Sequence, residues 1–86
     1  MTTWTPKLNT EVERTELEYR EGTSDKVYIA ILFKQGDGYR VKFSYGKRWN
    51  VNNHSHEPET EVSYGEAHAI YQKKIDQKLK KGYKHQ

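Results

Sequence analysis

The side chains best suited to chemistry fall together in Phe43-Ser44-Tyr45-Gly46-Lys47-Arg48-Trp49, where aromatics and two cations surround one glycine. Aromatic rings stack on sugars or bases, lysine and arginine neutralise phosphate, and glycine lets a backbone turn or come close to a ligand. That combination fits a surface for nucleic acid better than an active site.

Other constellations are weaker. His54-Ser55-His56-Glu57 offers two imidazoles and a carboxylate, but in a loop without cysteine these are ordinary exposed residues, and no metal site is expected. His68 and His85 add no further ligands to it. Glu11, Glu13, Glu16 and Glu18 read as one solvent-facing acidic edge, suited to keeping a sheet edge from pairing with other chains. No glycine-rich phosphate loop precedes a helix, and no nucleophile stands in a triad context. Neither catalysis nor a cofactor is expected.

The elements that must position the motif are legible from period. Thr15, Leu17 and Tyr19 alternate with Glu16, Glu18 and Arg20, which predicts a half-buried strand ending at Gly22. Residues 26–34 predict the strongest strand. Val27, Ile29, Ile31 and Phe33 form one face, and Tyr28, Ala30 and Leu32 a second, as a central strand requires. Gln35-Gly36-Asp37-Gly38 is a hairpin turn. The return strand sets Tyr39, Val41, Phe43 and Tyr45 against Arg40, Lys42 and Ser44. Trp49 to Val51 suggests a further strand start, residues 52–59 a polar loop, and Thr60-Glu61-Val62 a brief pairing.

A helix begins at Ser63, where Ser63-Tyr64-Gly65-Glu66 matches a capping box and Val62 is placed to staple onto Ala67. Ala67, Ile70, Tyr71, Ile75 and Leu79 form its apolar stripe. Gly82 suits the left-handed position after the last turn, and Lys78, Lys80 and Lys81 complement the negative helix end. With Ala67 at zero, Lys74, Lys78 and Lys81 fall at about −20°, +20° and −40° on the wheel, inside the apolar arc. Lysines so placed must reach past the sheet or meet anions. The expected partners are strand carboxylates such as Glu16 or Glu18, and the functional alternative is a row of phosphate contacts.

The bulk numbers bound the class. Eighty-six residues, 31% charged and 33% hydrophobic but with seven tyrosines, make a single small domain whose core leans on amphipathic rings. The absence of cysteine excludes disulfides and thiolate zinc sites. No leader and no membrane-length apolar run is evident, so the expected setting is intracellular, cytoplasmic or nucleoid-associated, without a membrane partner. The net charge of +3 is unevenly spread. Residues 1–25 carry three cations against six acids, and residues 26–56 carry six cations against Asp37 alone. A local basic field steers a polyanion even when the total charge is small.

Ordered along the chain, Ser24-Asp25-Lys26-Val27-Tyr28, Gly38-Tyr39-Arg40-Val41, Tyr45-Gly46-Lys47-Arg48, Ala67 in the helix, and Lys78-Leu79-Lys80-Lys81-Gly82-Tyr83 resemble a WGR domain. This is the Trp-Gly-Arg module of DNA-dependent poly(ADP-ribose) polymerases and several bacterial proteins. The resemblance implies an α+β fold, a small twisted antiparallel sheet with one C-terminal helix across a face. It divides the chain into an arm (1–14), the WGR-like domain (15–83) and a tail (84–86). It also implies DNA binding without catalysis, on duplex or strand ends. Tyr45 takes the stacking role, Gly46 the close backbone approach, and Lys47 the place of the signature arginine. Tyr offers a smaller ring than Trp, and Lys lacks the planar fork, which Arg48 one position later restores. Trp49, Arg40, Lys42, Lys78 and Lys81 complete the expected DNA-binding set. RNA stays open as a partner. So does a protein, docked through Trp4, Tyr19, Trp49 and Tyr83, since Trp and Tyr dominate interface hot spots.

Overall fold

The computed structural model describes residues 11–86. Trp4 and the rest of the first ten residues of the expected arm lie outside the described residues. Five antiparallel strands form one sheet: β1 (Glu11–Glu21), β2 (Ser24–Gln35), β3 (Gly38–Lys47), β4 (Asn50–Val62) and the short β5 (Lys84–His85), in the order β4-β3-β2-β1-β5. Among the described residues one helix, α1 (Tyr64–Lys80), packs across one face.

β2 is the middle strand, as its two-sided apolarity requires, and the register of its neighbours decides which side the helix covers. Tyr28 lies opposite Tyr45, Ala30 opposite Phe43 and Leu32 opposite Val41, so the apolar rows of β2 and β3 coincide on one side. On the other side Ile31 faces Lys42 and Phe33 faces Arg40. The helix therefore lays Ala67, Tyr71 and Ile75 over Leu17, Tyr28, Ala30, Leu32, Val41 and Phe43, all nearly inaccessible to solvent. Burying each large apolar side chain of this set contributes about 1.5–3 kcal/mol. Tyr71 joins the core by bonding Thr15 Oγ1 through its hydroxyl at 2.6 Å. Ile29, Ile31 and Phe33 on the far face are only half-buried.

Three sequence expectations need correction. β1 starts at Glu11, ahead of the alternation that begins at Thr15, with a register shift between Glu11 and Glu13. The expected polar loop at 52–59 is strand: β4 runs from Asn50 to Val62 without an apolar row of its own. As an outer strand it owes its conformation to pairing with β3, and Pro58 is tolerated there because an edge leaves amides unpaired. Trp49 sits in the turn before it rather than in the strand.

The helix ends follow the sequence signals. Ser63 Oγ accepts from the Glu66 amide at 3.2 Å. At the other end the Gly82 amide donates to the Leu79 carbonyl and the Tyr83 amide to the Lys78 carbonyl, a Schellman closure with Gly82 at φ +110°. That closure turns the chain back so that Lys84 and His85 pair with Glu18 and Leu17 of β1. No helix among the described residues is long and apolar enough to cross a membrane.

Candidate functional site

Two adjacent cross-strand rows build a hollow on the helix side of the sheet, beyond the last helical turn. One row is Tyr19, Lys26, Lys47 and Asn50, and the next is Leu17, Tyr28, Tyr45 and Asn53. Lys78 and Tyr83 overhang them from the helix end. The hollow has a volume of about 440 Å³ and is lined by Lys26, Tyr28, Tyr45, Gly46, Lys47, Asn50, Asn52, Asn53, Lys78 and Tyr83.

Its floor is aromatic. Tyr28 stacks on Phe43 and on Tyr45, each with ring centroids 5.8 Å apart, and meets Tyr83 edge-on at 6.3 Å. Tyr28 is buried, while Tyr45 keeps 40% of its surface exposed. Desolvation raises the Tyr28 hydroxyl well above its ordinary range, so the ring stays neutral at physiological pH. Gly46 stands at φ +153°, and a Cβ there would lie 2.7 Å from the Asn50 carbonyl oxygen. The close approach that demands glycine is thus to the chain's own β4 backbone.

Its walls are cationic. Lys26 sits directly opposite Lys47, a like-charge pair that weakens a sheet. Lys78 lies 4.9 Å from the Tyr28 ring centroid and 5.8 Å from that of Tyr83. Burial and then the neighbouring Lys81, Lys74 and Lys26 lower its pKa. Among the described residues no carboxylate comes within ion-pair distance of Lys26, Lys47, Lys78 or Lys81.

The residues nominated from sequence separate into groups. Tyr45, Gly46, Lys47 and Lys78 line the hollow, and Lys81 joins Tyr19, Lys26, Lys78 and Tyr83 at its rim. Trp49, 88% exposed in the β3–β4 turn, lines a neighbouring depression that shares Lys26 and Lys47. Arg48 is committed elsewhere. Its guanidinium bonds Asp25 at 3.0 Å and Glu18 at 2.7 Å, and its amide donates to the Asp25 carbonyl. These bonds raise the Arg48 pKa and, chiefly through the same hydrogen bond, lower that of Asp25. The fork expected to replace the signature arginine thus ties the β3–β4 turn to β1 and β2. Arg40 and Lys42 project from the opposite face, where Arg40 Nε donates to the Pro58 carbonyl at 2.8 Å.

Alternation also divides the other constellations. Along β4, His54 bonds Ser44 and His56 meets Phe33 edge-on, whereas Glu57 turns to Lys74 at 3.7 Å. No group of three metal-ligating side chains gathers among the described residues. The acidic edge is not one edge. Glu11 and Glu16 bracket Arg14, Glu18 holds Arg48, and Glu13 meets Tyr64 and His68 on the helix side. Glu16 and Glu18 are therefore not the partners of the helix lysines. Glu57 takes Lys74, and Lys78 lies over tyrosine.

Lys26 and Tyr28 escaped the nominated set although the hairpin register carried them. Counting back from Gln35 opposite Gly38 puts Lys26 against Lys47 and Tyr28 against Tyr45. Asn50, Asn52 and Asn53 left no such signal, because β4 reads as loop. Comparisons with protein-family models, with curated proteins and with solved structures gave no match to this chain.

Proposed function

We propose that this chain is a non-catalytic nucleic-acid-binding module of WGR-like type, acting on DNA through the tyrosine hollow. The observation that carries this reading is the cluster of Lys26, Lys47 and Lys78 around exposed Tyr45, with no carboxylate partner among the described residues. Like charges set opposite one another cost stability and are relieved by a polyanion. Tyr45 supplies the stacking surface, Lys47, Lys78, Lys26 and Lys81 hold phosphates, and Trp49 extends the path along the shared depression. Arg48 contributes by fixing the turn, and Arg40 and Lys42 stand on the wrong face to touch the same strand.

The test is a fluorescence-anisotropy titration against duplex with free ends, closed hairpins and single strands over a range of salt. Each phosphate neutralised on duplex steepens the log–log salt slope by about 0.9. The Lys47→Ala/Lys78→Ala double variant should flatten that slope by about two such increments. Undetectable binding at low salt, or a double variant that binds like the parent, overturns the reading.

A second reading rests on Trp49, whose indole is almost fully exposed at a turn tip. As a hot-spot anchor it would dock the chain onto a partner polypeptide without nucleic acid. A stoichiometric partner recovered after nuclease treatment and lost in Trp49→Ala would favour it.

A further inference from the structure

We infer that Asn50, Asn52 and Asn53 form a base-reading rim, so that the hollow takes an unpaired base of a single strand and prefers adenine. This rests on the nucleic-acid reading above and names the part of the ligand that the hollow recognises.

Three amide side chains line one wall of the hollow, all exposed. None has a hydrogen-bond partner among the described residues. Asn53 stands directly across from Tyr45 and Asn50 directly across from Lys47. Asn53 and Asn50 therefore sit in the same rows as the stacking ring and the cations, and Asn52 lines the wall between them. An asparagine amide offers one donor and one acceptor side by side, the complement of the adenine N6 amino group and its adjacent ring nitrogen. A purine also gives the larger face for stacking.

The geometry favours a single strand over a duplex. Tyr45 already has Tyr28 on one side at 5.8 Å, so a base must come to its remaining exposed surface. A base can do so only when it is splayed from its neighbours, which unpaired strands allow and a continuous duplex does not. A hollow of about 440 Å³ lies in the range of small-ligand sites and suits one nucleotide. Lysines on both sides then take the flanking phosphates, leaving the amides for the base edge.

The experiment is an anisotropy titration of the full chain at about 50 mM salt, where phosphate contacts are strong. The probes are short fluorescein-labelled homopolymers of deoxyadenylate, deoxycytidylate and thymidylate, adenylate in its ribose form, and a mixed-sequence duplex. The deoxyadenylate strand should bind roughly tenfold more tightly than thymidylate, the effect of one bidentate amide–base pair. The ribose arm reports whether RNA or DNA is the better source of the same base. Asn52→Ala/Asn53→Ala should narrow the adenine preference to within about threefold. Its salt slope should stay that of the parent, because no phosphate contact is removed. Circular dichroism of the variant confirms that the exposed positions are not needed for folding. Equal binding of all homopolymers, or a preference that survives the double variant, overturns the inference and leaves the proposed function standing. Failure to bind any strand or the duplex overturns both.

Discussion

The two faces of this sheet carry comparable numbers of basic groups and use them differently. On the helix side, Lys26, Lys47, Lys78 and Lys81 gather about tyrosines without acid partners among the described residues. On the other side, Arg40 bonds a backbone carbonyl, Arg14 lies between Glu11 and Glu16, and Lys42 stands among His54, His56 and half-buried Ile31. Cations bonded within the fold add to its structure, whereas unpaired cations around a stacking ring are available to a ligand. Charge content alone does not locate a binding surface. What nominates the tyrosine hollow is the lack of acid partners, among the described residues, beside a ring that stays exposed.

The largest expected difference between the faces is in stability. Tyr28→Ala should cost about 3 kcal/mol and Ile31→Ala only about 1 kcal/mol in urea denaturation, since one lies under the helix and the other on the half-covered face. Equal losses would mean that the far face is covered in solution. Gly46→Ala should cost about 2 kcal/mol, because the new methyl meets the Asn50 carbonyl at a backbone angle that favours glycine. A neutral result would break the account of the close approach between Gly46 and the β4 backbone.

In binding, Lys47→Ala or Lys78→Ala should each remove about 0.9 from the salt slope on duplex and about 0.7 on a single strand, and Lys42→Ala should remove none. A Lys42 effect as large as that of Lys47 would place nucleic acid on both faces or on the wrong one. The smallest effect concerns acid. Asp25 has its carboxyl pKa lowered by Arg48, so its contribution is present above the unfolded value of about 3.9 and is lost as pH falls through the lower native one. Arg48→Gln should therefore flatten the decline of stability below about pH 4. Full acid sensitivity in that variant would contradict the pairing.

Much of this arrangement is legible in the sequence where period, turn and cap signals agree. The hairpin at Gln35-Gly36-Asp37-Gly38 sets the register of β2 and β3, and with it the meeting of Tyr28 and Tyr45. Ser63 and Gly82 mark the two ends of the helix. β4 is hidden because an edge strand rich in Asn, His and Glu owes its extended form to the neighbour it pairs with rather than to its own apolar pattern. The asparagine wall of the hollow was hidden with it. Arg48 misleads for a related reason. Its neighbours in sequence suggest a ligand contact, but the carboxylates that hold it come from two other strands.

The most direct test of the central claim is a titration of isotope-labelled protein with a short single-stranded oligonucleotide, followed by amide chemical shifts. Binding in the tyrosine hollow predicts shifts centred on Lys26, Tyr28, residues 45–47, residues 50–53, Lys78 and Tyr83, with Arg40, Lys42, His54 and His56 unmoved. Shifts confined to that second group, or no shifts at low salt, would contradict it.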